Sequence, residues 1–228
     1  MKTKIMTACV GAFLTFSMTS CNDWLDVTPQ AQVSAEKIFS TPEGYESVLY
    51  GIYISMTEAN AYGQNQTYGL MDVLAQYYDI YTNQSHALYQ ASVYNYTNGD
   101  IRDRVDAIWL NNYNTIANCN ILLEHLAERT PEYFTENHYN MLKGEALAIR
   151  AYLHFDMLRA FALNYQDYPD GMGIPYADSF ERKIHPQLTS KDVLDKIIAD
   201  LKEAQSLLAD IDPCFDELFK DPIYHYVQ

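Results

Sequence analysis

The sequence predicts an all-α fold built from helical hairpins with long irregular loops, and three observations carry that reading. Apolar residues recur at spacings of three and four in four separate stretches, the period that gathers them on one helix face. No stretch alternates apolar and polar residues as a half-buried strand does. The prolines fall between the periodic stretches or at their starts, where a helix tolerates them.

In chain order, residues 1–20 read as an export signal rather than as part of the fold. Lys2 and Lys4 supply a positive start, and Ile5 to Met18 form an uncharged apolar run. At about 14 residues, that run falls short of the roughly 20 that span a bilayer as a helix. It ends in Met18-Thr19-Ser20-Cys21, which resembles the lipobox of bacterial lipoproteins, with Met18 in place of the usual leucine. The expectation is cleavage before Cys21 and acylation of its sulfur. Each buried methylene of an acyl chain contributes about 0.8 kcal/mol, so more than one chain holds a domain to a membrane without crossing it. Residues 21–33 are then the acylated cysteine and a polar tether containing Pro29, and residues 34–228 are the helical domain.

Thr41-Pro42 offers an N-cap followed by proline in the first turn, and Tyr45, Val48, Leu49, Ile52, Tyr53 and Met56 repeat behind it. A helix is predicted over about 42–58. Residues 60–102 break the pattern, being rich in Asn, Gln, Gly and Tyr around one short apolar run, Leu70, Met71, Val73 and Leu74. An irregular segment of that length is uncommon in a compact domain unless it is functional. Periodicity returns at Asp103 and passes through Val105, Ile108, Trp109, Tyr113, Ile116, Leu123 and Leu126 to Thr130-Pro131. A third helix, about 136–163, carries Leu142, Ala146, Ile149, Leu153, Met157 and Phe161 on one face. Its small Ala148, Ala151 and Ala160 are where a neighbour is expected to approach closely. The second and third helices are expected to pack antiparallel across a short loop.

Pro169, Gly171, Gly173, Pro175 and Pro186 make another helix in 164–186 unfavourable. Thr189 and Ser190 then cap a fourth, with Val193, Ile197, Leu201, Ala204 and Leu208 as its inner stripe, stopping before Pro213. Helix pairs with small-residue contacts are tetratricopeptide-like, although no repeat of about 34 residues is visible. Phe215 to Gln228 carries no stop signal, and a chain truncated at its C-terminus is the expectation.

Thirty acidic against fifteen basic residues give a net charge of -15, which repels phosphates and excludes nucleic acid as a partner. Export favours disulfides, so Cys119 and Cys214 could pair once Cys9 has left with the signal. Cys119 lies inside an apolar helical pattern, and a buried free thiol is the favoured reading.

Several motifs resemble one family. They are Cys21 followed by Asn22-Asp23-Trp24-Leu25-Asp26-Val27-Thr28-Pro29, the stretch Trp109 to Asn120, the helix Gly144-Glu145-Ala146 with Arg150-Ala151-Tyr152 and Phe155, and Gly173-Ile174-Pro175-Tyr176. In this order they are similar to the SusD/RagB family of outer-membrane, nutrient-binding lipoproteins of Bacteroidetes. Family members are considerably longer, so this chain corresponds to the N-terminal half. The resemblance implies a surface-exposed protein with tetratricopeptide-like helices. It also implies a SusC-like TonB-dependent transporter as partner, with glycans, or in some relatives peptides, as cargo.

No catalytic motif is present: HExxH, GxSxG, a glycine-rich phosphate loop and CxxC are all missing, and neither a metal nor a cofactor is expected. The chain reads as a binding protein rather than an enzyme, with a peptide- or partner-binding scaffold as the alternative and a glycoside hydrolase the least favoured. Sugar recognition needs aromatic faces for the pyranose ring and amides or carboxylates for its hydroxyls. Residues 72–100 supply both, and the ligand-binding set comprises Tyr77, Tyr78, Tyr81, Tyr89, Tyr94 and Tyr96 with Asp79 and Asn98. The resemblance puts Tyr94 and Tyr96 where stacking aromatics are expected; packing of the loop on the helices is the competing role for each ring. Glu145, Arg150 and Tyr152 are read as a helix–helix salt bridge or buried hydrogen-bond network, and His154 as a packed histidine.

Overall fold

The computed structural model describes residues 35–135, 137–181 and 183–209. The signal, Cys21, the tether, Cys214 and the C-terminal tail lie outside the described residues. The described residues fall in two compact units, divided after Lys37. Described residues 35–37 of the first begin a one-turn helix, α1 (Ala35–Ile38). The second unit carries α2 (Pro42–Met56), α3 (Leu70–Leu74), α4 (Tyr89–Ser92), α5 (Gly99–Ala127), a 3-10 turn at Pro131–Tyr133, α6 (His138–Phe161), β1 (Met172–Pro175), β2 (Gln187–Thr189) and α7 (Ser190–Leu208).

The four long helices stand where the periodicity predicts them, and the fold is mostly helical. Cross-contacts give their directions. Tyr45 reaches the His125 carbonyl and Ser55 reaches Thr115, so α2 runs antiparallel to α5. Trp109 meets Phe161 while Asn120 meets Arg150, which makes α5 and α6 an antiparallel hairpin. Gly144 abuts Leu208 while Arg150 meets Asp200, so α6 and α7 are antiparallel as well.

Capping explains two boundaries. The Asn98 side-chain oxygen accepts the Ile101 amide at 3.3 Å, which starts α5 at Gly99, ahead of the expected Asp103. Thr189 Oγ1 accepts the Asp192 amide at 3.1 Å and starts α7 as predicted. Thr41 has the extended conformation of an N-cap but makes no side-chain cap bond, leaving Pro42 to set the first turn of α2.

Two core clusters share the α5/α6 hairpin. One joins Tyr45, Leu49 and Ile52 of α2 to Ile116, Leu122, Leu126, Leu142 and Leu153. The other joins Leu70, Val73, Ile101 and Ile108 to Met157, Ile174, Val193 and Ile197. Serving both, α6 is buried on more than the single face expected of it, with Leu147 and Leu158 covered as well. The close approach differs too: Ala160 is exposed, whereas a Cβ on Gly144 would lie 2.6 Å from Leu208 Cγ. Gly144 is therefore what lets α7 sit down on α6. Cys119 is a fully buried free thiol, and burial pushes it up to about 12.

The breaker-rich connection holds a two-stranded antiparallel ribbon that the sequence reading does not contain, with Met172 opposite Thr189 and Pro175 opposite Gln187. Strands of four and three residues are too short to register an alternation. Pro175 sits at the strand end, where a missing N–H is tolerated. Gly173 permits the pairing, since a Cβ there would come 3.0 Å from the Ser190 nitrogen. The ribbon leads the chain from the end of α6 back to the start of α7.

Candidate functional site

The tyrosine-rich segment is tied down at two points. Gln76, just after α3, and Tyr94, just after α4, both adopt left-handed backbone with φ of 60° and 55°. Each costs a non-glycine residue about 1–2 kcal/mol, and each reaches across to the other helix. Gln76 Nε2 donates to the Ser92 carbonyl at 3.0 Å, and the Tyr94 hydroxyl donates to the Leu74 carbonyl at 3.0 Å. These reciprocal bonds clamp α3 to α4 and set the direction of the loop between them.

Within that frame Tyr77, Tyr78, Tyr81, Tyr94 and Tyr96 are exposed, Tyr77 most of all at 77 %. Asp79 is exposed, and Tyr89 and Asn98 are half-buried, Asn98 serving as the α5 cap. The structure draws one of the set, Tyr77, into a concave surface. A hollow of about 320 Å³ is lined by Tyr77, Gln66, Met71, Asp72, Ala75, Asp156, Arg159 and Ala160. The Tyr78 hydroxyl reaches Asp72 Oδ2 at 3.5 Å, beside the same hollow. Tyr81, Tyr89, Tyr94, Tyr96, Asp79 and Asn98 are not among its lining residues.

The polar groups of the hollow are held in place. Asp156 accepts from the Tyr62 hydroxyl through Oδ2 at 2.9 Å and from Arg159 through Oδ1 at 2.9 Å. Burial, reinforced by the Asp156 charge, keeps the Tyr62 phenol protonated far above its ordinary range, so it stays a donor. Tyr62 is itself packed against Tyr152, with ring centroids 5.3 Å apart. Gln66 Oε1 accepts from buried Asn112 at 2.6 Å, which leaves the amide nitrogen as the free end. Half-buried carboxylate and amide groups and the exposed Arg159 guanidinium thus surround one exposed phenol ring. That combination can stack on the apolar face of a ring-shaped ligand and exchange hydrogen bonds with its hydroxyls. No cluster of metal-ligating side chains occurs among the described residues.

Elsewhere on α6, Arg150 and His154 are centred in a buried polar network. Arg150 grips Asp200 with two bonds, Nε to Oδ2 at 2.7 Å and Nη2 to Oδ1 at 2.8 Å, and reaches Asn120 Oδ1 at 2.8 Å. The Tyr176 hydroxyl also donates to Asp200. Asn120 returns a bond to the Ala177 carbonyl at 2.9 Å. His154 Nδ1 donates to the Arg150 carbonyl at 2.8 Å and Nε2 accepts the Ala177 amide at 3.0 Å, while the ring stacks on Tyr176 at 3.9 Å. Burial holds this imidazole down to about 4, so it is neutral. Glu145 accepts from Tyr53 at 2.7 Å. Arg150 and His154 fasten α5, α6, α7 and the segment after β1 together, the structural role read for them from the sequence, whereas Glu145 makes an exposed contact to α2 and Tyr152 is exposed against Tyr62, outside the buried network.

Residues 23–215 match the family model of SusD-like proteins described as starch-binding and associating with the outer membrane. The chain belongs to this SusD-like family. A SusD-like protein from Formosa agariphila is 25% identical over 224 residues, covering 92% of this chain and 40% of that protein. Among solved structures, a SusD superfamily protein from Bacteroides vulgatus superposes with a TM-score of 0.59 at 22% identity, covering 73% of this chain and 37% of the other. One from Bacteroides fragilis gives 0.59 at 20% identity, covering 83% and 50%. A SusD-like carbohydrate binding protein from Bacteroides vulgatus gives 0.58 at 21% identity, covering 73% and 36%. This SusD-like chain therefore spans about half the length of these relatives or less.

Sequence reasoning missed Gln66, Asp72, Asp156 and Arg159 as neighbours of Tyr77. Asp156 and Arg159 stand three apart on α6, a spacing that brings side chains together on a helix. Nothing in the sequence says that α3 lies beside them.

Proposed function

We propose that this chain is an outer-membrane lipoprotein that binds glycan nutrients and passes them to a SusC-like TonB-dependent transporter. It is anchored through acylated Cys21 and displayed towards the outside. Residues 1–20 act as the signal, 21–33 as the anchor and tether, and 34–228 as the N-terminal helical part of a longer SusD-like receptor. The hollow beside Tyr77 supports this reading most directly, because an exposed ring is bordered there by Asp72, Asp156, Arg159 and Gln66. Exposed Tyr78, Tyr81, Tyr94 and Tyr96, with Tyr89, Asp79 and Asn98, extend the surface over which a polysaccharide passes. The chemistry is recognition of a neutral polyhydroxy ligand, and no bond of the ligand is broken.

The test is isothermal titration of the full chain in detergent with a panel of plant and host polysaccharides, starch included. Binding to at least one, weakened about tenfold or more by Tyr77→Ala, is expected if ring stacking and its surrounding bonds carry the affinity. Silence from every glycan, with binding to peptides instead, would replace this reading with the peptide-binding one. Replacing Cys21 by serine should abolish palmitate incorporation; labelling that survives the change would remove the anchor from the account.

A further inference from the structure

A second hollow, of about 580 Å³, lies on the other side of Arg159. Its wall is formed by Phe155, Leu158, Ala162 and Leu194, with Tyr165 and Asn164 at the end of α6 and Arg159 on the shared edge. Arg159 lines both hollows. The arrangement follows from helix geometry, in which neighbouring residues are turned about 100° from one another. Asp156 and Ala160 face the Tyr77 hollow, Phe155, Leu158 and Ala162 face the second, and Arg159 stands between the two stripes.

The second hollow repeats the chemistry of the first. Phe155 and Tyr165 are exposed aromatic residues, at 41 % and 45 %, and Asn164 and Arg159 supply polar atoms beside them. Arg159 is two-thirds exposed, and its guanidinium, held by Asp156, lies 5.7 Å from the centroid of the Phe155 ring, so one face of that ring and the guanidinium form a continuous surface between the hollows. The guanidinium can therefore donate to a ligand lying across it.

We infer that the two hollows are subsites of one track, and that the chain recognises a linear oligosaccharide long enough to rest on Tyr77 at one end and on Phe155 and Tyr165 at the other, crossing Arg159. This inference rests on the glycan reading above. A single sugar unit would occupy one hollow, whereas a chain of several would gain from both, because the second contact becomes intramolecular once the first is made.

The experiment compares disaccharides with hexasaccharides of linear α-glucan, β-glucan, xylan and galactan by titration against the full chain. A hexasaccharide should bind about tenfold or more tightly than its disaccharide, and Phe155→Ala with Tyr165→Ala should erase that advantage while leaving disaccharide affinity within about twofold. Arg159→Gln, at an exposed position, is the second variant and should also reduce hexasaccharide affinity should the double variant fold poorly. Equal affinities for short and long ligands that Tyr77→Ala still lowers would overturn the two-subsite track and leave the glycan reading in place. Silence from every oligosaccharide would overturn the track, and silence from the polysaccharide panel as well would overturn the glycan reading.

Discussion

Replacing Asp200 by asparagine should be among the most damaging single changes in this domain, although the new side chain has nearly the same shape. Arg150 and Asp200 are 8 % and 9 % exposed. The carboxylate takes two bonds from the guanidinium, at 2.7 and 2.8 Å, and a third from Tyr176. Removing the negative charge leaves a buried guanidinium without a counter-ion, a defect that costs about 3–5 kcal/mol. For a domain of this size each kcal/mol moves Tm by about 2–4 °C, so a drop of about 6–20 °C is expected. Circular dichroism melts of wild type and Asp200→Asn at neutral pH measure it. Exchanging both partners for apolar residues, Arg150→Met with Asp200→Leu, should be less harmful than Asp200→Asn alone, because no uncompensated charge remains. A loss below about 2 °C in the single variant would show that the pair is wetter or looser than its geometry implies, and would refute the reasoning.

Gly144→Ala should cost up to about 2 kcal/mol, since driving a methyl group into Leu208 costs about 1–3 kcal/mol while alanine's better helix propensity returns about 1 kcal/mol. Pairing it with Leu208→Ala should recover part of that loss in a double-mutant cycle, and strict additivity would contradict the contact. Burial holds His154 at about 4 in the folded chain, below the unfolded value near 6.5. As pH falls through that window the unfolded state takes up the proton first, so stability present at pH 7 should decline by on the order of 3 kcal/mol by pH 4. Urea titrations across this range, compared with His154→Gln, read the slope; equal slopes in the two proteins would be inconsistent with a buried neutral imidazole. Tyr94→Phe removes the bond to the Leu74 carbonyl and should lower stability by about 1 kcal/mol at most, while leaving glycan binding close to wild type if the ring alone contacts the ligand.

Helix positions were legible because local chemistry specifies them. Pro42 opens α2, Thr189 caps α7, and Tyr45, Leu49, Ile52, Val193, Ile197 and Ala204 are buried as their spacing requires, whereas Tyr53 and Leu201, read into the same stripes, lie at their edges and are exposed. The sequence was less informative where burial comes from several sides. For α6, a one-face stripe was the natural reading, and only the packing of α2, α5, α7 and β1 around it explains why Leu147 and Leu158 are covered too. The ribbon was hidden because Met172–Pro175 carries glycine and proline, whose usual message is to end structure. At the site, composition pointed to exposed tyrosines, and five of the six named are exposed. Which of them meets a concave surface depends on α3 lying against α6, more than 80 residues later in the chain, and no local pattern encodes that. Asn98 shows the limit of reading by composition, since its side-chain oxygen is engaged in starting α5.

A crystal structure of the chain soaked with an oligosaccharide it binds is the most direct test of where recognition takes place. Sugar density stacked on Tyr77, with hydroxyls within hydrogen-bond reach of Asp72, Asp156 or Arg159, is the predicted result. Density seated elsewhere on the domain, with the Tyr77 hollow empty, would contradict the account.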